Sequence, residues 1–123
     1  MSKTALIVDD SPTMRQMVAF TLTNAGYTVI EAQDGKDAVN KVSGGAKMDI
    51  VVTDLNMPEM DGIELIKELR KLASFKFTPI LMLTTESAVE KKVAGKEAGA
   101  TGWIVKPFNP ELLLKTIAKV LPA

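Results

Sequence analysis

The pattern that most constrains this chain is a set of short, unbroken apolar runs, each of which ends directly on a polar residue. The four clearest runs are Ala5–Val8, Ile50–Thr53, Ile80–Leu83 and Trp103–Val105. Unbroken apolar runs are typical of parallel strands that helices cover on both faces. A fifth run, Thr28–Ala32, alternates around Glu31 and is therefore predicted to be an edge strand.

Capping signals mark helices between these runs. A capping residue stands either before a proline or three residues before an acidic residue, at Ser11-Pro12, Asn109-Pro110, Asp34 with Asp37, Asp61 with Glu64, and Ser87 with Glu90. Glycines suited to helix ends follow, at Gly26, Gly44-Gly45 and Gly99. Apolar spacing in the first helix predicts one buried face, made of Met14, Met17, Val18, Thr21 and Leu22.

Five strand–helix units in succession predict an α/β fold with a doubly wound, five-stranded parallel sheet between two helical layers. The 123 residues suit a single domain with its own core. The short apolar run after Met1 is too short for a signal peptide, and no stretch could span a bilayer, so a cytoplasmic protein is expected.

Charge and residue usage exclude several kinds of function. Fifteen basic and fifteen acidic residues give no case for binding nucleic acid or an anionic membrane. Cysteine and histidine are both absent, which removes thiolate chemistry, the commonest general base and the commonest metal ligand. A metal bound here would have to be hard and oxygen-ligated, such as Mg²⁺, with Mn²⁺ as a substitute.

The polar residues that end the runs would converge at one rim of a parallel sheet. They are Asp9, Asp10, Asp54, Thr84 and Lys106. Taken singly, each has an ordinary explanation as a cap, a turn residue, a strand threonine or a loop charge. Taken together, three carboxylates would repel one another unless a cation shared their site.

This grouping suits phosphoryl transfer. Such a reaction needs a positioned nucleophile, a metal ion and a fixed positive charge near the phosphoryl oxygens. Asp54 is the best nucleophile candidate, because an aspartate can form an acyl phosphate. Lys106 would supply the fixed charge, and the Thr84 hydroxyl would add a hydrogen-bond donor.

The motifs resemble those of a family over essentially the whole chain. The matching stretches are Ile7-Val8-Asp9-Asp10-Ser11, Asp54-Leu55-Asn56-Met57-Pro58, Met60-Asp61-Gly62, Leu83-Thr84 and Trp103-Ile104-Val105-Lys106-Pro107-Phe108. The chain resembles a receiver domain of a two-component response regulator, in particular the stand-alone CheY type of chemotaxis regulator. This resemblance implies one receiver domain over residues 1–123 and a flavodoxin-like (βα)5 fold with strand order 2-1-3-4-5, the order of CheY itself.

The resemblance also implies residue roles in catalysis and metal binding. Asp54 would accept a phosphoryl group from a CheA-like histidine kinase. Asp10 would ligate Mg²⁺ directly, Asp9 would help through water, and the backbone carbonyl of Asn56 would complete the protein ligands. Lys106 would pair with the phosphoryl group, and its peptide bond to Pro107 is expected to be cis.

Switching and lifetime are assigned by the same resemblance. Thr84 would move toward the phosphoryl group and vacate space for an aromatic residue at the position of Trp103. A core or interface aromatic is the alternative interpretation of Trp103. Asn56 and Glu86 would tune hydrolysis of the acyl phosphate, with solvated polar residues as the alternative. Gly95 predicts a locally soft fourth helix, because glycine is a poor helix former.

The expected output is protein binding by a monomer, because no DNA-binding or catalytic domain is expected after Ala123. Candidate partners are a flagellar motor switch or a histidine phosphotransfer protein, with a phosphatase as a further partner. In the second case the chain would be a phosphorelay intermediate. The lysines of the fourth helix put the motor in doubt, because motor-binding relatives present a more apolar surface there.

Three functions of other classes remain as alternatives. A magnesium-dependent phosphatase with an aspartate nucleophile would need an Asp-x-Asp arrangement, whereas Asp9 and Asp10 are adjacent. A flavin binder would need a small, polar phosphate loop after the first strand, where the acidic pair lies. A receiver that serves only as a scaffold is disfavoured, because the family's site residues are all present.

Overall fold

A computed structural model describes residues 3–121 as one five-stranded parallel sheet between two layers of helices. The strands are β1 (Thr4–Val8), β2 (Thr28–Ala32), β3 (Ile50–Thr53), β4 (Ile80–Thr84) and β5 (Gly102–Val105). Their order in the sheet is β2-β1-β3-β4-β5, and every neighbouring pair is parallel. The predicted fold class and strand order are therefore confirmed.

The helices alternate with the strands along the chain. They are α1 (Pro12–Asn24), α2 (Gly35–Val42), α3 (Gly62–Arg70), α4 (Val89–Ala98) and α5 (Pro110–Val120), and a short 3-10 turn at Ala73–Phe75 precedes β4. Residues of α1 and α5 pack in one apolar cluster, and those of α2, α3 and α4 pack in the other. Alternate β1 residues, such as Leu6 and Ile7, point into opposite clusters because strand side chains alternate between faces.

Local capping chemistry explains where four of the helices begin. Side chains of four cap residues accept hydrogen bonds from backbone N–H groups three positions later, at Ser11, Asp34, Asp61 and Asn109. These bonds satisfy N–H groups that a helix cannot pair internally. The predicted caps at these positions are confirmed.

The predicted cap at Ser87 is wrong. Helix α4 begins one residue later, with Ala88 in the cap position and no side-chain hydrogen bond from the cap residue itself. Instead, the Glu86 carboxylate accepts a hydrogen bond from the Ala88 N–H at 3.1 Å. The acceptor therefore comes from two residues upstream, outside the usual capping-box spacing.

Two burial predictions also need correction. β5 is an edge strand whose Val105 is 39% exposed, although its unbroken apolar run had predicted helices on both faces. Met17 is 51% exposed, while Val18, Ala19 and Leu22 form the buried face of α1. The predicted edge position of β2 is confirmed.

Among the described residues, 3–121, none of the helices is both long and apolar enough to cross a membrane.

Candidate functional site

The carboxyl ends of four strands bring the predicted site residues to one rim. Asp9 and Asp10 follow β1, Asp54 follows β3, Thr84 ends β4 and Lys106 follows β5. Backbone hydrogen bonds hold the strand ends in register: Asp54 N–H donates to the Val8 carbonyl at 2.9 Å, and Lys106 N–H donates to the Thr84 carbonyl at 2.8 Å. Parallel pairing thus joins residues that are nearly a hundred positions apart in sequence.

Three carboxylates form an acidic cluster at this rim. Asp9, Asp10 and Asp54 each offer one carboxylate oxygen, and these oxygens lie within 4.8 Å of one another. Asp9 is buried, Asp54 is half-buried and Asp10 is exposed. A set of carboxylate oxygens with one side open to solvent is the donor set that a hard divalent cation takes, so these residues fit Mg²⁺.

Lys106 lies between two of the carboxylates. Its Nζ is 3.0 Å from Asp9 Oδ2 and 3.6 Å from Asp54 Oδ2, and its side chain is only 10% exposed. The ammonium group offsets part of the repulsion between the two acidic groups. Low exposure also makes this charge less screened by salt than a surface charge.

Backbone amides fix the other oxygens of the same carboxylates. Asp9 Oδ1 accepts from the Ser11 N–H at 2.9 Å, and Asp54 Oδ1 accepts from the Leu55 N–H at 2.8 Å. Each carboxylate is therefore held at one oxygen by the main chain and faces Lys106 with the other. This leaves the side-chain positions well defined before any ligand binds.

Burial raises the pKa of the Asp54 carboxyl above its usual value of 3.8. The Lys106 ammonium opposes this rise, the negative charge of Asp9 adds to it, and the Leu55 N–H and the Thr84 hydroxyl favour the ionised form. Desolvation is the largest of these causes. An extra cation near Asp54 would therefore favour its ionised form.

Thr84 and Trp103 are linked through Glu86. The Thr84 hydroxyl oxygen accepts from the Glu86 N–H at 3.2 Å, and Trp103 Nε1–H donates to the Glu86 carbonyl at 2.8 Å. Thr84 is buried and Trp103 is half-buried. A hydroxyl next to Asp54 is therefore joined to an aromatic ring on the neighbouring strand through one residue of the β4–α4 connection.

The structure tests the prediction for the Lys106–Pro107 peptide bond but not the metal-binding role of Asn56. The peptide bond between Lys106 and Pro107 is cis, as the family resemblance implies. The Asn56 side chain is exposed in the loop that follows Asp54. Its backbone carbonyl as a metal ligand stays a prediction.

Sequence reasoning missed Arg15 as part of the site's support. The Arg15 guanidinium donates from Nη1 to the Asp9 carbonyl at 2.8 Å and from Nε to Glu31 Oε1 at 3.2 Å. It therefore ties the end of β1 to the edge strand β2. No local motif marks this role, because the partner carbonyl is set by how α1 lies on the sheet.

Gly62 allows the backbone after β3 to turn tightly under Asp54. A β-carbon placed on Gly62 would lie 2.3 Å from the Asp54 carbonyl oxygen, far inside van der Waals contact. The Gly62 N–H also donates to the Leu55 carbonyl at 2.8 Å. In the sequence, Asp61-Gly62 belongs both to a capping pattern and to a family motif, and the structure supplies the physical reason for a glycine at position 62.

Comparisons with known proteins agree with this geometry. A family model described as response regulator receiver domain matches residues 5–118. The chain is 42% identical over 117 residues to chemotaxis protein CheY1 of Helicobacter pylori, covering 94% of each chain. It is 39% identical over 117 residues to a chemotaxis protein CheY homolog of Campylobacter jejuni, covering 94% of this chain and 90% of the relative.

A solved structure also superimposes closely. The chemotaxis protein CheY4 of Vibrio cholerae has 54% sequence identity and a TM-score of 0.94, over 98% of this chain and 100% of that one. At this identity, the two proteins share more than half of their aligned residues as well as the fold.

Proposed function

The chain belongs to the response regulator receiver family, and from that premise we propose that it is a phosphorylation-activated switch of a two-component chemotaxis system. Proteins of this family are signalling proteins rather than classical enzymes. The proposed reactions are accordingly limited to phosphorylation and dephosphorylation of the chain itself. We treat residues 1–123 as one receiver domain, which the family match over 5–118 supports.

Asp54 is the proposed phosphoryl acceptor. One carboxylate oxygen of Asp54 would bond to the phosphorus of a phosphohistidine, while the P–N bond breaks and the histidine nitrogen leaves with the bonding pair. The observation that carries this proposal is the placement of Asp54 Oδ2 3.6 Å from Lys106 Nζ, at an acidic cluster with room for a cation. Lys106 would then pair with the new phosphoryl oxygens.

Asp9, Asp10 and Asp54 would hold Mg²⁺, together with the backbone carbonyl of Asn56. Their carboxylate oxygens within 4.8 Å support this ligand set, and Mn²⁺ would substitute because it takes the same oxygen ligands. When bound, the ion supplies positive charge beside the transferred phosphoryl group. The Arg15 contact to the Asp9 carbonyl would hold the ligand-bearing end of β1 in place.

Thr84 and Trp103 are the proposed reporters of phosphorylation. A phosphoryl group adds negative charge and acceptor oxygens, so the Thr84 hydroxyl would turn from the Glu86 N–H to donate to it. The Trp103 indole already donates to the Glu86 carbonyl, so a shift of this connection would reach the indole. Indole fluorescence that does not change on phosphorylation would contradict this assignment.

Asn56 and Glu86 are proposed to tune the acyl-phosphate lifetime. They lie two residues after Asp54 and Thr84, where they would control how water reaches the phosphorus, and fast hydrolysis is the expectation. Replacing both with residues of a slowly hydrolysed regulator should lengthen the lifetime. Glu86 also bonds the Ala88 N–H, so its substitution needs a stability measurement alongside the lifetime.

The proposed partners follow from the relatives. A CheA-like histidine kinase would donate the phosphoryl group, and the output would be binding of a monomer in the cytoplasm to a flagellar motor switch or a phosphotransfer protein. A phosphatase is a further proposed partner. The match to chemotaxis proteins over more than nine-tenths of the chain supports the motor pathway above a phosphorelay role.

The decisive experiment is labelling by a small acyl phosphate with Mg²⁺, followed by intact mass. The parent chain should gain one base-labile phosphoryl adduct, and Asp54→Ala should gain none. Asp49→Ala is the matched control, because Asp49 is an exposed aspartate at the opposite end of β3. Equal labelling of parent and Asp54→Ala would overturn the proposal. Turnover of free phosphate monoesters would favour a phosphatase instead.

A further inference from the structure

The Trp103 ring rests against the one position in α4 that lacks a side chain. A β-carbon placed on Gly95 would lie 2.7 Å from Trp103 Cζ3 and 3.2 Å from Cε3, and Gly95 itself is buried. Such a separation is too short for two carbon atoms that are not bonded to each other. The indole can therefore occupy this place only because residue 95 is a glycine.

The same indole is held at its other end by Glu86. Its Nε1–H donates to the Glu86 carbonyl at 2.8 Å, while the Glu86 carboxylate accepts from the N–H of Ala88, the cap residue of α4. The ring thus contacts α4 near its middle and is hydrogen-bonded to the connection that leads into it. Thr84 is joined to the same connection, because its hydroxyl oxygen accepts from the Glu86 N–H.

We propose that Gly95 is a positioning residue for Trp103. The missing side chain leaves space for the indole between Gly95 on α4 and the Glu86 carbonyl, and we call this space the seat. A larger residue at position 95 would displace the ring from the seat. The volume of residue 95 then sets how readily the ring takes the position it has in this structure. The link of this seat to phosphorylation rests on the proposed function, whereas the seat itself does not.

Two observations favour a packing role for Gly95 over simple softness of the helix. Glycine is a poor residue in a helix interior, so its presence in α4 needs a reason that outweighs propensity. The close approach of Trp103 supplies that reason. The expectation that Gly95 softens the fourth helix stays a prediction beside this packing role.

A groove beside Trp103 has room for a displaced ring. Its volume is about 280 Å³, and it is lined by Lys92, Lys96, Ala100, Thr101, Gly102 and Trp103 itself. A methyl group at position 95 would press the ring toward this groove, where the indole N–H would leave the Glu86 carbonyl. The chain can therefore respond by moving one side chain, without unfolding α4.

Gly95→Ala tests the seat directly, since Trp103 is the only tryptophan in the sequence. The variant should show stronger quenching of indole fluorescence by acrylamide and lost protection of the indole N–H from hydrogen exchange. Gly44→Ala is the matched control, because a β-carbon there meets nothing within 4 Å, and it should change neither. Unchanged quenching and protection in Gly95→Ala would overturn the proposal.

Stability provides a second test that works even if Gly95→Ala folds poorly. With Trp103 present, Gly95→Ala should lower the urea midpoint measured by circular dichroism, because the methyl group and the ring compete for one space. In a Trp103→Ala background the same substitution should raise the midpoint, because alanine is the better helix former. A midpoint that moves in the same direction in both backgrounds would contradict the seat.

Phosphorylation separates this inference from the proposed function. Gly95→Ala should still gain the phosphoryl adduct by intact mass, because the seat lies outside the acidic cluster, but its indole emission should no longer respond to phosphorylation as in the parent. A normal emission response in a chain whose ring is already displaced would overturn the link between seat and switch. If the parent chain gains no phosphoryl adduct, the proposed function is wrong, while the seat for Trp103 is unaffected.

Discussion

The ammonium group of Lys106 lies 3.0 Å from Asp9 Oδ2, and both side chains are at most 10% exposed. In this arrangement a fixed cation of the chain faces the acidic cluster. Removal of that cation would leave buried carboxylates facing one another without compensation, which is one of the costlier changes a protein interior can suffer.

Lys106→Met should therefore destabilise the metal-free chain by about 3 kcal/mol. Added Mg²⁺ should recover part of this loss, because a divalent ion restores positive charge among the carboxylates. Urea denaturation in EDTA and in Mg²⁺ measures both effects. Lys67→Met, on the exposed side of α3, is the control. A loss no larger than that of the control would refute the electrostatic role of Lys106.

Asp54→Asn should stabilise the chain in EDTA near neutral pH. Because burial raises the pKa of Asp54 in the folded chain, the folded state holds this proton more tightly than the unfolded state. The contribution of this proton to the free energy of unfolding is fully present below pH 3.8. It is lost as the pH rises through the folded pKa. The advantage of the asparagine variant should thus appear across that window and then stay constant.

Urea midpoints of the parent and of Asp54→Asn, measured in EDTA from pH 3 to pH 8, check this prediction. Mg²⁺ should stabilise the parent more than the variant, since Asp54 supplies one of the clustered oxygens. If the two pH profiles run parallel, ionised Asp54 carries no folding cost and the assigned cause of its pKa shift is wrong.

Gly62→Ala should cost about 2 kcal/mol of stability and slow phosphorylation of Asp54. The added methyl group would meet the Asp54 carbonyl oxygen, a backbone atom that cannot turn aside as a flexible side chain can. Gly44→Ala, in open space, should stay within about 0.5 kcal/mol of the parent. Denaturation and intact-mass time courses measure the two effects, and a variant with the parent's rate would show that Asp54 tolerates a shift of its backbone.

Arg70→Met should destabilise the chain by about 2 kcal/mol. The Arg70 guanidinium donates to the carbonyls of Phe75 and Thr78 in the α3–β4 connection and to that of Gly99 at the end of α4. Loss of these bonds leaves half-buried carbonyls without their donor. Lys71→Met removes only an exposed ion pair to Glu68 and should change stability by less than about 0.5 kcal/mol.

Thermal and urea unfolding of Arg70→Met and Lys71→Met measure both losses. The comparison sets a guanidinium bonded to three carbonyls against an exposed ion pair. Similar losses in both would mean that the guanidinium contributes no more than an exposed charge does. Arg70→Lys should recover little, because one ammonium group cannot reach three carbonyls in a fixed plane.

Local signals explain why much of the fold could be predicted. Strand runs and caps such as Ser11 and Asn109 act over three or four residues, so the sequence pattern contains the whole interaction. The start of helix α4 was predicted wrongly for the opposite reason. The N–H of its cap residue Ala88 donates to Glu86, outside the usual motif, and its Gly95 lies against a ring on another strand.

The acidic cluster was predictable because topology alone places strand ends together. Once β1 and β3 are parallel neighbours, Asp9 and Asp54 must share a rim. The contact of Arg15 with the Asp9 carbonyl and the clash that Gly62 avoids depend on distances of a few ångströms between elements. Such distances follow from packing, which a pattern of residue types does not specify.

Because β5 is an edge strand, the rim consists of one part on interior strands and one part on a strand with a single neighbour. Asp9 and Asp54 follow interior strands, each bordered on both sides, whereas Lys106 and Trp103 belong to a strand that borders β4 alone. Fraying of one margin would therefore withdraw the countercharge and the indole together, while the acidic groups stayed in place. The charge proposed to support the chemistry and the ring proposed to report it thus depend on the same edge strand, so a change that loosens β5 should weaken both.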